Sequence, residues 1–214
     1  MKSINRILSK PTTRLLLKTP LGPNEITLLS GAAGILAFLA FLSGTKMGFI
    51  LGALLFEAFY VLDNCDGEVA RAKGKSTKFG SWLDTSVDYL VHVLAFVGIG
   101  IGVYRRTLNS VILIIGAVAT IGVFLSFFIV MMQKTKDYGL AVYGMPKAPK
   151  GIIKKIGGLD KLVDVLSVGD FSIALLLFAL FDKMELLLWL AAFGANLFFI
   201  ILLGLNYRYL TART

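Results

Sequence analysis

Asp63-Asn64-Cys65-Asp66-Gly67-Glu68-Val69-Ala70-Arg71, followed after eight intervening residues by Gly80 and then by Asp84 and Asp88, decides how this chain is read. Four carboxylates stand where one apolar run, Met47 to Leu62, ends and the next, Ser81 to Val103, begins. An ionised carboxylate at a membrane boundary is costly unless it is paired, and four together repel one another unless cations hold them. Two divalent ions would balance four negative charges. That points to a two-metal site, a device for polarising phosphoryl oxygens. On helices, Asp63 and Asp66 at i and i+3 share a face, as do Asp84 and Asp88 at i and i+4. Ligands that are all oxygen suit Mg²⁺ or Mn²⁺ better than zinc. Gly67 is read as ending the first carboxylate turn and letting backbone approach a ligand closely. Ala70 and Gly80 are small and leave room for something flat, and Arg71 offers a planar fork to phosphate oxygens.

Outward from this stretch the chain is apolar. Of its 214 residues 57% are hydrophobic, and the mean hydropathy is +0.79. Runs near the length of a membrane span recur: Glu25 to Leu42, Met47 to Leu62, Ser81 to Val103, Val111 to Met132, Phe171 to Phe181 with its flanks, and Glu185 to Asn206. None alternates as a strand would, and only helices or closed barrels cross a bilayer. The expected fold is all-α, a polytopic membrane protein with six transmembrane helices. Residues 1–20 are expected as an interfacial amphipathic segment and 21–214 as the membrane domain. In the first segment Lys2, Arg6, Lys10, Arg14 and Lys18 recur every four residues, with Ile4, Ile7, Leu8, Leu15, Leu16 and Leu17 between them. That pattern suits a helix lying in the interface, kinked or restarted at Pro11. A frayed basic tail is the plainer alternative. These residues are too basic, and too broken by Pro11 and Pro20, for a cleavable signal peptide.

Lys and Arg number 22, and the formal net charge is +9. With six spans, eighteen of the 22 fall on the side that holds both termini and the Asp cluster. The positive-inside rule makes that side cytoplasmic, in the plasma membrane of a prokaryote. The basic residues border spans, so they attract anionic lipid and not nucleic acid. One cysteine, Cys65, allows no internal disulfide. Between 134 and 169, Leu159, Leu162, Val163 and Leu166 recur at helical spacing and suggest a short surface helix.

The stretch from Asp63 to Asp88 resembles the signature of the CDP-alcohol phosphatidyltransferase family, Asp-x2-Asp-Gly-x2-Ala-Arg-x8-Gly-x3-Asp-x3-Asp, with every fixed position filled. The resemblance implies a membrane enzyme of phospholipid biosynthesis. Such an enzyme moves a substituted phosphate from a CDP-linked donor, CDP-diacylglycerol or an ether-lipid equivalent, to an alcohol and releases CMP. It implies two divalent cations on Asp63, Asp66 and Asp84. Asp88 matches the proposed general base and also bears on the second ion, so Asp84 and Asp88 are the catalytic pair. It implies a CDP site of Asn24, Asp63, Asp66, Gly67, Ala70, Arg71 and Gly80, and a homodimer. Thr77 and Lys78, just before Gly80, read equally as phosphate contacts or as a solvated basic loop. Asn24, in the helix-start signal Gly22-Pro23-Asn24-Glu25, reads equally as a cap or a nucleotide contact.

The acceptor is less legible. His92, one turn beyond Asp88, and Glu57, two turns before Asp63, are polar groups within spans and candidates for an acceptor pocket, with Lys134, Lys136 and Arg208 at its rim. His92 would otherwise be a packing residue or a partner of Asp88. Asn196 is a weaker candidate. Relatives that use phosphorylated acceptors tend to place extra Arg residues around the cavity, and many relatives have an Arg-Asp pair opening the fifth span. Here the stretch is Val168-Gly169-Asp170-Phe171; the absent Arg counts against a phosphorylated acceptor, although Lys134, Lys136 and Arg208 remain to bind one. A different class, an intramembrane ion or metal transporter using the Asp cluster, would want charges near the midplane and broken helices in paired halves. Neither is evident.

Overall fold

The computed structural model describes residues 4–142 and 171–211, with side chains over 7–129 and 171–204. Seven helices and no strand occur among the described residues: α1 (Ile4–Leu16), α2 (Pro23–Phe41), α3 (Lys46–Ala72), α4 (Lys78–Thr107), α5 (Val111–Val142), α6 (Phe171–Leu180) and α7 (Met184–Thr211). The all-helical expectation holds there. Five of them, α2, α3, α4, α5 and α7, are long and apolar enough to cross a membrane. Of the expected fifth span, the described residues include α6, whose 10 residues are ~15 Å long; its upstream flank lies outside the described residues. The surface helix expected at 159–166 lies outside the described residues.

The helices outrun the apolar runs. Hydropathy drops at Asp63, yet α3 continues through Gly67 to Ala72, so Gly67 does not end a turn. Hydropathy marks the bilayer, whereas backbone hydrogen bonding marks the helix. At 27 residues α3 is ~40 Å long. Its last ten residues, which carry Asp63 and Asp66, therefore extend toward or past the edge of a ~30 Å hydrocarbon core.

Packing follows membrane rules. Lipid is as apolar as Phe, so close fit holds the helices together more than dehydration does. Phe41, Phe49, Phe56 and Phe59 are fully buried at the centre. Leu28, Leu36 and Leu39 of α2 and Trp189, Leu190 and Phe193 of α7 face outward. α2 lies along both α3 and α4, α4 carries α5, α5 pairs with α7, and α6 packs on α3. Although consecutive, α3 and α4 approach each other at few points, and α2 bridges them. The closest approach to a neighbouring backbone is at Gly102 of α4, where a Cβ would stand 2.1 Å from the Phe41 carbonyl oxygen. In the turn after α2, Gly44 has φ +68° and presses on Gly102 in turn. At the end of the molecule away from the Asp cluster, the Arg106 guanidinium forms a two-pronged ion pair with Asp182. That neighbour holds the Asp182 carboxyl below its usual value.

α1 runs unbroken past Pro11. Thr12 Oγ1 donates to the Leu8 carbonyl (2.9 Å) and supplies a hydrogen bond beside the one proline cannot make. Its inward face is polar: Ser9 and Thr13 donate to the two oxygens of Glu68 on α3, at 3.1 and 2.7 Å. Ile7, Leu8 and Leu15 are exposed. Lys73 Nζ ties down the α1–α2 link, donating to the carbonyls of Leu21 (2.8 Å) and Thr19 (3.2 Å).

Candidate active site

Helical spacing places Asp63 and Asp66 on one side of α3 and Asp84 on the opposing side of α4. Carboxylate oxygens of these three residues lie within 4.8 Å of one another. Asp66 is buried, and the other two are partly so. Asp63 Oδ1 is shut off from solvent and has no hydrogen-bond partner among the described residues. An orphaned anionic oxygen is what a bound cation would satisfy. Asp66 has a partner that spacing could not reveal, because the buried Thr27 hydroxyl on α2 donates to its Oδ2. Asp88 stands outside the trio, one turn deeper, with Oδ1 3.4 Å from His92 Nδ1.

Beside the trio opens a cavity of about 200 Å³. Pro23, Asn24 and Thr27 of α2 form one wall, and Asp66, Gly67, Ala70 and Arg71 of α3 form another. Lys75, Ser76 and Thr77 of the α3–α4 turn and Gly80, Ser81 and Asp84 of α4 close it. The missing side chains matter. A Cβ on Gly67 would lie 3.3 Å from Arg71 Nη1, and one on Gly80 would lie 3.0 Å from Asn24 Oδ1. Glycine at both positions lets those polar groups converge on the cavity. The two readings of Asn24 also separate here. Gly22 is the N-cap and Glu25 receives its N–H, so the cap does not need Asn24, which faces the cavity. Thr77 caps α4 through Gly80 N at 2.9 Å and walls the cavity as well. Lys78 is not part of the wall.

The acceptor candidates are dispersed. Both Glu57 carboxylate oxygens are buried without a hydrogen-bond partner among the described residues, and Glu57 does not line the cavity. His92 is buried and bonded at both ring nitrogens, to Tyr60 and to Asp88. The side chains of Lys134, Lys136 and Arg208 lie outside the described residues. Asn196 donates to the carbonyls of Val118 and Ala192, so it knits α5 to α7. Cys65 is buried with Sγ 3.5 Å from the Ser9 carbonyl oxygen, a packing contact.

Known proteins carry related sequences and the same fold. The chain is 31% identical over 143 residues to the bifunctional IPC transferase and DIPP synthase of Archaeoglobus fulgidus, an overlap of 67% of this chain and 26% of that one. It is 36% identical over 83 residues to the phosphatidylinositol phosphate synthase of Corynebacterium glutamicum, covering 39% of this chain and 37% of that protein. The chain thus spans well under half the length of either. Among solved structures, the phosphatidylinositol phosphate synthase of Mycobacterium tuberculosis with CDP-DAG bound superposes with a TM-score of 0.61 at 23% identity, over 93% of this chain and 92% of that one. The same enzyme in complex with manganese and citrate gives 0.54 at 20% identity, over 92% and 87%. Residues 21–154, which hold α2 to α5 and the whole carboxylate motif, match the family model for CDP-alcohol phosphatidyltransferase, and the chain belongs to that family.

Proposed function

We propose that the chain transfers a substituted phosphate group from a CDP-linked lipid donor to an alcohol acceptor and releases CMP, as an enzyme of phospholipid biosynthesis. The observation that carries this reading is the trio Asp63, Asp66 and Asp84, with oxygens within 4.8 Å, two of which, Asp66 and Asp84, line a cavity together with Arg71 and Asn24. The donor set fits two divalent cations, Mg²⁺ or Mn²⁺, with Asp88 contributing to the second. Bound there, they supply positive charge that offsets a diphosphate and the leaving CMP. The Mycobacterium tuberculosis relative, solved with CDP-DAG and with manganese and citrate, supports that pair of ligands.

In this reading Asn24, Gly67, Ala70, Arg71, Thr77 and Gly80 hold the CDP moiety beside the carboxylates, and Lys78, outside the wall, adds positive charge next to it. The acceptor hydroxyl oxygen attacks the phosphorus distal to cytidine. The bond from that phosphorus to the bridging oxygen breaks, its electron pair leaves with CMP, and Asp88 takes the hydroxyl proton. Positioning and charge carry the rate. Glu57, Lys134, Lys136 and Arg208 are the acceptor contacts in this reading, His92 being committed to Tyr60 and Asp88, and the named relatives support a polyol phosphate as the first acceptor to try. The architecture that goes with this is an interfacial segment at 1–20 and a six-span domain at 21–214. The site and both termini are cytoplasmic on the weight of basic residues, and the homodimer rests on resemblance.

The test is turnover of purified protein with CDP-diacylglycerol and a panel of labelled alcohols and alcohol phosphates, scoring CMP and lipid product. EDTA should abolish release, and Mg²⁺ or Mn²⁺ should restore it. Full turnover in EDTA would sink the assignment of cations to the carboxylates.

A further inference from the structure

Tyr60 sits one turn below Asp63 on α3, and His92 one turn below Asp88 on α4. These two buried side chains meet, with the Tyr60 hydroxyl 2.8 Å from His92 Nε2. On its other edge, His92 Nδ1 lies 2.7 Å from the Asp88 main-chain oxygen and 3.4 Å from Asp88 Oδ1. Both are acceptors, so Nδ1 carries a proton, and in the neutral ring Nε2 accepts from the tyrosine. Phe56, Phe59 and Phe171 surround the imidazole at centroid separations of 5.4, 6.1 and 6.3 Å. Tyr60 is 4% exposed and His92 8%, so water does not readily replace either partner.

The position of this bond gives it meaning. α3 and α4 touch at few points, yet each carries half of the carboxylates. We propose that Tyr60 and His92 are positioning residues, a hydrogen-bonded tie across α3 and α4 that sets the separation of the two carboxylate pairs and aims the Asp88 carboxylate. The proposal takes from the reading above that those carboxylates hold divalent cations. Outer partners of this sort orient the groups that bind a metal, and their loss typically costs roughly 10- to 100-fold in metal affinity or activity.

His92 is the sole histidine of the chain, so imidazole ¹⁵N labelling gives the spectrum of one residue. The expected spectrum, taken without metal or substrate, has Nδ1 protonated and Nε2 bare, and Tyr60→Phe moves the Nε2 signal. Mn²⁺ titration followed by electron paramagnetic resonance supplies the second readout. Tyr60→Phe should weaken binding roughly tenfold or more. His92→Asn keeps a donor for the Asp88 carbonyl but is too short to reach Tyr60, and it should weaken binding to a similar degree. The double variant should be no weaker than the worse single, since both changes break one bond. An Nε2-protonated histidine, a Tyr60→Phe protein that binds Mn²⁺ as wild type does, or losses that add in the double variant would each overturn the proposal. CMP release is read separately. A wild type with this spectrum and this Mn²⁺ pattern that transfers nothing refutes the enzymatic reading and leaves the tie standing.

Discussion

Replacing Thr27 by Val removes one hydroxyl hydrogen bond from the carboxylate trio and changes little else. The Thr27 hydroxyl donates to Asp66 Oδ2. It also lies 3.1 Å from the Pro23 carbonyl, but its single hydrogen goes to the charged acceptor. Thr27 is 2% exposed and Asp66 4%, so solvent cannot supply a replacement donor. A hydrogen bond to a charged group contributes about 1.5–3 kcal/mol. If that bond holds Asp66 in its ligating pose, Thr27→Val weakens Mn²⁺ binding by roughly 10- to 150-fold. Calorimetric titration of Mn²⁺ into detergent-solubilised protein reads this directly. Thr27→Ser keeps the hydroxyl and should stay near wild type, and the melting temperature checks that Thr27→Val still folds. Binding by Thr27→Val within about twofold of wild type, under ~0.5 kcal/mol, would refute the view that Asp66 depends on α2.

Asp66→Asn should weaken Mn²⁺ and CDP binding together, whereas Asp88→Asn should stop transfer and keep more of the CDP affinity. Equal calorimetric losses would remove the case for Asp88 as the base. Gly102→Ala forces a Cβ against a backbone oxygen 2.1 Å away, so it should cost about 1–3 kcal/mol and lower the thermal midpoint in detergent; an unmoved midpoint would mean that α2 and α4 are free to part. The lowered carboxyl of Asp182, held down by its bond to Arg106, contributes stability above its unfolded value near ~4 and loses it as pH falls through the folded value. The pair is exposed, so the contribution is under about 1 kcal/mol. Asp182→Asn should flatten the acid side of the melting profile slightly, and an unchanged slope would contradict this.

The spans and the carboxylate face were legible because both are local patterns. Apolar runs near twenty residues announce themselves, and Asp63 and Asp66 are one helical turn apart whatever surrounds them. What the pattern mistook was where helices stop: the end of the run at Leu62 is a statement about solvent, and α3 crosses it unbroken. Spacing gave Asp84 and Asp88 a shared face and offered His92 as a partner of Asp88, which the structure shows, but it did not give that Asp88 lies apart from the trio. Thr27 and Tyr60 were missed altogether. Their partners Asp66 and His92 are 39 and 32 residues away, and a Thr or Tyr in an apolar helix looks like ordinary packing. For Asn24 the sequence offered two readings, and only the contact of Glu25 with Gly22 separates them.

The turn between α3 and α4 has a consequence for how such chains can diverge. Residues 73–77 join two helices at the membrane edge, where connecting segments ordinarily absorb insertions and deletions. Here Lys73 is bonded to the α1–α2 link, Gly74 takes φ +63°, and Lys75, Ser76 and Thr77 are cavity wall. An added residue would push that wall into the cavity or turn Thr77 away from Gly80, and α4 would then start out of phase with α3. The eight-residue gap in the signature is therefore a mechanical dimension of the site. Lineages descending from this sequence are held to the length of the turn, so gaps in an alignment should fall elsewhere.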